Sequence, residues 1–197
     1  MPPSRPEPVT IDFRCTLCGE CCRRYVPLVT AEDARRIQRS LSIPYQSFLV
    51  FYAPDYFDPP LEEDDDRLFT TQEGPFALGL ARVGDGCFFL RGNLCSIHLF
   101  TPMVCRQYPF EPTDPEDLAG PFQVIQDACW GHNAWDGLQN VAPVRTSYAQ
   151  YTEERLAYGA LVRQWNDDPG SAGRTRQEFV EYLGLLPSDT LLVEERR

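Results

Sequence analysis

The sequence contains no lysine, because all 18 of its basic residues are arginine, and it has only two histidines. Without lysine the chain cannot form a lysine Schiff base or use the phosphate-binding lysine of a P-loop. It also lacks a long apolar stretch: the longest, residues 48–53, is far shorter than the roughly 20 residues that cross a bilayer. We therefore expect no membrane-spanning segment.

Positive charge is scarce as well, and the formal net charge of the chain is −11. A surface this acidic repels phosphate groups, so we expect neither nucleic acid nor an anionic membrane as a partner. The first residues show no apolar stretch typical of a secretory signal, so we expect a cytoplasmic protein. Thiols stay reduced in the cytoplasm, and clustered cysteines there indicate metal ligands or redox centres rather than disulfides.

The eight cysteines are the strongest signal that is present, and half of them fall within eight residues: Cys15, Cys18, Cys21 and Cys22. The C-x2-C spacing lets two thiolates converge on one ion while backbone N–H groups in the turn point at the sulfur atoms. Gly19 can adopt the left-handed conformation that such a turn often needs. The longer pattern C-x2-C-x2-C is the spacing of bacterial ferredoxin loops, which favours an iron–sulfur centre.

The adjacent pair Cys21 and Cys22 is unusual, because neighbouring side chains tend to point apart. Either Cys22 serves a second metal, or the pair flanks a polynuclear cluster. The remaining cysteines are dispersed, mostly at predicted strand ends or turns: Cys87, Cys95, Cys105 and Cys129. His98 follows Cys95 at C-x2-H spacing and is a reserve ligand, although a histidine of the core explains it as well. His132 carries no specific signal.

Eight thiols could form two four-ligand sites, or one cluster and one zinc site. Soft thiolates select zinc, Cu(I) or iron–sulfur centres over magnesium or calcium. We predict a 4Fe-4S type cluster, with zinc as the alternative. Four thiols within eight residues are not typical of a packed core, so eight inert buried cysteines are a poor explanation.

The first half of the chain predicts irregular structure with short elements. Residues 1–12 are rich in proline and are expected to form a flexible tail. Thr30 is a good N-cap for a helix with acidic residues in its first turn. A second short helix is expected to start at Pro44 and include residues 48–52.

The middle of the chain predicts strands and turns. Two apolar runs, residues 76–83 and 87–90, flank a Gly-Asp-Gly turn and indicate a β-hairpin. Residues 91–93 predict another turn that leads into Cys95, and residues 122–126 predict a further strand. We find no internal repeat.

The last third has the spacing of amphipathic helices, over residues 144–165 and again over residues 179–186. We therefore predict an α+β fold. It is expected to be a single irregular, loop-rich domain whose short strands surround a cysteine metal centre, with the C-terminal helices packed on it. Residues 13–130 would form the metal-binding region and residues 131–197 the helical part of the same domain.

The cysteines and their neighbours together resemble a known family. The ordered motifs are Phe13-x-Cys15-x2-Cys18-Gly19-x-Cys21-Cys22, Cys87-Phe88-Phe89-Leu90, Cys95-Ser96-Ile97-His98, Pro102-x2-Cys105-Arg106-x-Tyr108-Pro109-Phe110 and a late Cys129. They resemble the YkgJ-like CxxCxxCC proteins over about residues 13–130. The resemblance implies that all eight cysteines bind metal, as iron–sulfur or zinc. This family often has Arg-Pro before its Cys-Arg motif, and here Thr101 takes the place of that arginine.

Three functions are compatible with these motifs. The first is a metal-cluster protein of redox or structural type, in which Arg106 could donate hydrogen bonds to cluster sulfur or to an anion. The second is an enzyme of methylase or oxidoreductase type that uses the cluster, although the chain has no G-x-G-x-x-G motif, no P-loop and no C-x3-C-x2-C spacing. The third is a zinc-only scaffold for a protein partner that the sequence does not identify.

Overall fold

The computed structural model describes residues 10–13, 15–115, 117–125 and 138–185. Helices and small antiparallel sheets are mixed along the chain, which confirms the predicted α+β class. The helices in this part of the chain are α1 Glu20–Arg24, α2 Ala31–Leu41, α3 Met103–Gln107, α4 Val141–Asn166 and α5 Arg176–Tyr182. The strands are β1 Thr10–Asp12, β2 Leu49–Tyr52, β3 Phe69–Thr71, β4 Gly74–Leu80, β5 Arg82–Val83, β6 Gly86–Cys87, β7 Leu90–Arg91, β8 Leu94–Cys95, β9 Phe110–Pro112, β10 Phe122–Val124 and β11 Leu138–Asn140.

The chain divides into two compact units. One comprises Met1–Tyr25 and Arg82–Glu153 and contains every cysteine that the structure describes, so we call it the cysteine unit. The other comprises Val26–Ala81 and Glu154–Arg197 and contains the largest sheet, so we call it the sheet unit. These limits follow contacts within the fold and differ from the segments 13–130 and 131–197, which remain a prediction.

The sheet unit is built on three antiparallel strands in the order β2-β4-β3. Helix α2 begins as predicted at Thr30, whose side chain accepts a hydrogen bond from the N–H of Asp33 while the Asp33 carboxylate accepts one from the N–H of Thr30. Inside the unit, the ring of Phe69 on β3 stacks on that of Phe179 on α5 at a centroid distance of 3.7 Å. Burial of these rings ties the sheet to α5.

One predicted element of the sheet unit is wrong. The helix expected from Pro44 through residues 48–52 is a short 3₁₀ turn at Tyr45–Ser47 followed by strand β2. The residues of Leu49–Tyr52 include the β-branched and aromatic types that favour strands. Their backbone groups also form hydrogen bonds with β4, a partner that the local sequence does not indicate.

The cysteine unit is held by short strand pairs and one apolar cluster. Strand β1 pairs with β11, so residues 10–12 form a strand in the segment that was expected to be tail. Strand β10 pairs with β9 and confirms the strand predicted at 122–126 as far as Val124. The buried members of the cluster are Phe13, Phe110, Phe122, Val141 and Val144. This cluster fixes the chain two residues before Cys15.

The helices predicted for the last third are confirmed where the structure describes them. Helix α4 covers Val141–Asn166, and α5 covers Arg176–Tyr182. Among the described residues, no helix combines the length and apolar character needed to cross a membrane.

Candidate metal centre

The N-terminal cysteines lie on a loop that leads into the short helix α1. Gly19 precedes this helix with φ +76°, the left-handed conformation predicted from the sequence. Leu17 also has a positive φ, +55°, a backbone conformation that residues other than glycine rarely adopt. Cys21 and Cys22 lie in the helix itself, whereas Cys15 and Cys18 lie on the loop before it.

Two consecutive hairpins present the next two cysteines in equivalent positions. Strands β5 and β6 are joined by a two-residue turn that starts at Gly84, and β7 and β8 by one that starts at Gly92. Both glycines have φ +61°, a conformation that favours glycine at the first position of such a turn. Each cysteine follows its glycine by three residues, as Cys87 and Cys95. The predicted hairpin at the Gly-Asp-Gly turn is confirmed, with two-residue strands.

A backbone N–H group at the equivalent position donates to each hairpin thiol. Burial raises the pKa of Cys87 and Cys95, and in each case the N–H of the residue two positions later, Phe89 or Ile97, donates to the sulfur and opposes that rise. A backbone N–H directed at sulfur favours the thiolate, the form that binds metal.

Cys21 and Cys22 do not point apart. Their Sγ atoms lie 4.0 Å apart, while two thiolates bound tetrahedrally to one ion at about 2.3 Å would lie about 3.8 Å apart. The hydrogen bond from the Cys22 thiol lowers the pKa of Cys21 to about 6. The same hydrogen bond, together with burial, raises the pKa of Cys22. This hydrogen bond therefore favours the negative charge on Cys21 and the proton on Cys22.

The adjacent pair lies within electrostatic range of both hairpins. Helix α1 lies against β6, and negative charge on Cys21, Cys87 or Cys95 raises the pKa of Cys22. Helix α1 and the two hairpins therefore lie close enough for the charges of these four thiols to act on one another. In the described residues, no three potential donor side chains already stand in a metal-binding arrangement, so an ion would have to draw these thiols closer together.

Arg23 joins the cysteine loop to the second hairpin. Its guanidinium donates to the carbonyl oxygen of Cys18 at 2.9 Å, to that of Gly92 at 3.0 Å and to Oδ1 of Asn93 at 2.7 Å. The bonds to Gly92 and Asn93 connect positions about 70 residues apart in the sequence. Arg23 follows the cysteine motif directly, but nothing in the sequence indicates its distant partners.

Arg82 makes the corresponding connection from the first hairpin. Its guanidinium donates to the carbonyl oxygens of Arg23 and Tyr25 at the end of α1, and also to that of Asp85 in its own hairpin turn. On the strand, Arg82 is the register partner of Cys87, and its positive charge acts to lower the pKa of that thiol. The two arginines were not identified from the sequence.

The other predicted residues are placed as follows. Cys15 is exposed, Cys18 is half-buried, and Cys105 is half-buried on α3. His98 is exposed. Cys129 and His132 lie outside the residues that the structure describes. The cysteines that it does describe form no disulfide with one another.

The residues after Cys105 pack within the cysteine unit. Arg106 is exposed, and its guanidinium donates to the carbonyl oxygen of Leu99 at 2.6 Å. The ring of Tyr108 contacts that of Tyr25, at the end of the cysteine loop, with centroids 5.6 Å apart. Phe110 meets Phe13 edge to face at 5.0 Å. These aromatic contacts tie the Cys-Arg motif to both ends of the loop.

Comparison with known proteins identifies a family for most of the cysteine-bearing sequence. The family model described as "CxxCxxCC: Putative zinc- or iron-chelating domain" matches residues 14–130, which is more than half of the chain. No curated protein and no solved structure matches the chain. The match confirms the resemblance found in the motifs and supports metal binding, with zinc or iron as the metal. The chain belongs to the CxxCxxCC family of zinc- or iron-chelating domains.

Proposed function

We propose that the protein holds a thiolate-ligated metal centre, an iron–sulfur cluster of 4Fe-4S type, with a redox or structural role in the cytoplasm. The observation that carries the proposal is the grouping of Cys21, Cys22, Cys87 and Cys95, whose charges act on one another across three segments. Like charges are gathered at a cost unless a cation neutralises them. A metal centre is the simplest reason for a fold to group these thiols.

The donor set fits such a centre. Thiolates select iron–sulfur centres, zinc or Cu(I), and four of them complete the coordination of one centre. We propose this set as the first centre. Cys15, Cys18 and Cys105, with Cys129, would then be the ligands of a second centre. When bound, an iron–sulfur cluster would supply one-electron transfer, and the N–H groups of Phe89 and Ile97 would adjust its potential through hydrogen bonds to sulfur.

A zinc scaffold is the second candidate, and one distance favours it. The 4.0 Å separation of the Cys21 and Cys22 Sγ atoms suits two ligands of a single tetrahedral ion. A tetrathiolate zinc site with no open position is structural rather than catalytic. In that case the centre would stabilise the cysteine unit and transfer no electrons.

Metal analysis separates the two candidates. The protein would be purified without oxygen, and iron, acid-labile sulfide and zinc would be measured per chain. An iron–sulfur centre predicts a brown protein with iron and sulfide in equal amounts, while a colourless protein with stoichiometric zinc supports the scaffold. A chain that retains no metal and cannot be reconstituted with iron and sulfide or with zinc would overturn both.

Two variants test the ligand set. Cys95→Ser should lose metal and stability together, because binding is coupled to folding of the site. Leu94→Ala is the matched control, since it changes the neighbouring residue in the same strand and that side chain is 55% exposed. Equal metal content in the two variants would remove Cys95 from the set.

A further inference from the structure

We propose that the protein binds a second copy of itself, through a face beside the second hairpin on one copy and the acidic loop of residues 54–64 on the other. The face consists of Leu17, Arg91 and Leu94, and we call it the arginine face. This inference goes beyond the proposed function, because the side chains concerned are not those of the metal centre.

The arginine face lies on the side of the second hairpin that does not carry its cysteine. Arg91 and Leu94 are register partners, and so are Leu90 and Cys95. Residues directly opposite in a strand pair share one face, and successive residues point to opposite faces. The side chains of Arg91 and Leu94 therefore point away from the side that bears the Cys95 thiol, and they can contact another molecule without displacing that thiol.

Leu17 adjoins this hairpin through the cysteine loop. Arg23 connects the loop and the hairpin turn, since it donates to the carbonyl oxygen of Cys18 and to Oδ1 of Asn93. Leu17 is the residue before Cys18. Leu94 is the residue after Asn93, and both leucines are 55% exposed. The connection therefore places two exposed apolar side chains on adjoining segments of the cysteine unit.

Arg91 presents a positive charge that is held in place without a negative partner. Its Nη1 donates to the carbonyl oxygens of Phe88 at 2.7 Å and of Leu90 at 3.0 Å, and its central carbon lies 5.9 Å from the centroid of the Phe88 ring. Arg91 is exposed and forms no ion pair with any carboxylate that the structure describes. A carboxylate of another molecule can therefore accept from its other two nitrogens, and a guanidinium already held in position loses little entropy on binding.

The acidic loop carries the complementary groups. A hydrogen bond from the N–H of Leu61 to the carbonyl oxygen of Pro54, at 3.1 Å, closes its first part, and Tyr56 within it is 55% exposed. The exposed carboxylates of the loop are those of Asp55, Asp58, Glu62, Glu63 and Asp64. None of the five forms an ion pair within the described residues, whereas the next two acids in the chain pair with Arg67 and Arg155. The loop therefore offers unpaired carboxylates beside an exposed aromatic ring.

The two surfaces fit each other in charge and in apolar character. The loop supplies carboxylates for Arg91 and an aromatic ring for the two leucines. The net charge of −11 makes two copies repel each other at long range. That repulsion is screened beyond about 8 Å at physiological ionic strength, so the opposite charges at the contact decide the outcome. Because the contact joins two different surfaces, two copies either make it twice in a closed dimer or extend it into larger assemblies.

Sedimentation of the full chain tests the contact. The metal-loaded protein would be measured at concentrations up to about 1 mM, so that even a weak contact is populated, with a phosphine reductant that prevents disulfide-linked oligomers. We expect the average mass to rise with protein concentration at low salt, and to fall towards the 22.5 kDa of one chain at high salt. A mass that stays at 22.5 kDa throughout, or an association that salt leaves unchanged, would overturn the proposal.

Charge reversal identifies the two surfaces. Arg91→Glu, and a triple variant with Glu62→Arg, Glu63→Arg and Asp64→Arg, should each weaken the association about tenfold or more. An equal mixture of these two variants should associate again, because each carries one reversed and one original surface that the other complements. Arg163→Glu is the matched control: it makes the same change of charge at an exposed arginine of α4 and should stay within about threefold of the original chain.

Two results would contradict this assignment of the surfaces. One is an Arg91→Glu chain that associates as strongly as the original, and the other is a mixture that stays monomeric while the original chain associates. Metal content measured on the same samples separates the inference from the proposed function. A chain that binds neither iron nor zinc overturns the proposed function, whereas a metal-loaded chain that stays monomeric overturns the contact alone.

Discussion

Replacement of Arg23 by methionine tests whether the arginine connections organise the metal centre. Methionine keeps much of the apolar stem of arginine and removes the guanidinium. That group donates three hydrogen bonds, to Cys18, Gly92 and Asn93, and so connects the cysteine loop to the second hairpin. Without it the loop and the hairpin should separate in the metal-free protein, and metal binding would have to bring them together.

The magnitude follows from the exposure of the side chain. Hydrogen bonds from a charged donor contribute about 1.5–3 kcal/mol when buried, but the Arg23 side chain is 26% exposed, so we expect less for each. The three acceptors share one guanidinium and their losses are not independent, so we expect about 2 kcal/mol in total. Because metal binding is coupled to ordering of the site, a loss of 2 kcal/mol weakens metal affinity roughly thirtyfold.

The assay is zinc affinity by competition with a chromophoric chelator, together with thermal unfolding of the metal-free and zinc-bound forms. Arg24→Met is the matched control on the same short helix, because its side chain is 43% exposed and its ion pair with Glu20 is long, at 3.5 Å. The control should stay within threefold of the original affinity, about 0.6 kcal/mol. If Arg23→Met also stays within threefold, the connections do not organise the centre.

Three further outcomes are expected. Gly84→Ala and Gly92→Ala should each lower the free energy of unfolding by about 1–2 kcal/mol, because both glycines have φ +61°. An added Cβ would meet open space at both positions, so the backbone conformation alone sets this loss. Clearly unequal losses in urea unfolding would contradict the equivalence of the two hairpins. Thr30→Ala should lower the unfolding free energy by about 1 kcal/mol through loss of the α2 cap, with zinc per chain unchanged. Burial raises the pKa of Asp65, but hydrogen bonds from Arg67 outweigh it and hold the pKa below its ordinary 3.8. The Asp65 carboxylate therefore stabilises the fold at neutral pH and loses that effect as pH falls below 3.8, so Asp65→Asn should destabilise the protein at pH 7 and much less in acid.

Local signals in the sequence predicted the elements whose stability is local. The cap at Thr30 and the helical spacing of residues 144–165 specify their helices through neighbours three or four positions away. Strand β2 was missed because its stability comes from pairing with β4, about 30 residues later in the chain. A short apolar run such as residues 48–52 suits either structure until its partner is known.

The cysteines could be named as candidate ligands from spacing alone, but their grouping could not. The C-x2-C pattern is informative because the loop is short and its geometry is nearly fixed by the backbone. The approach of Cys21 and Cys22 to the hairpin cysteines depends on more than 60 intervening residues, most of which belong to the sheet unit. Spacing carries no information about contacts across such a separation, so the positions of Arg23 and Arg82 could not be anticipated either.

The spacing between glycine and cysteine is a further signal in the sequence for the two hairpin thiols. Gly84 precedes Cys87 by three residues, and Gly92 precedes Cys95 by three, so the same pattern occurs twice at an interval of eight residues. A glycine that opens a two-residue turn places the third residue after it on the returning strand. In both hairpins the N–H two residues beyond that position donates to the cysteine sulfur. The backbone N–H groups of Phe89 and Ile97 are these donors. The Gly-x2-Cys spacing is therefore part of the site's chemistry, because it builds two equivalent thiolate positions from the same turn geometry.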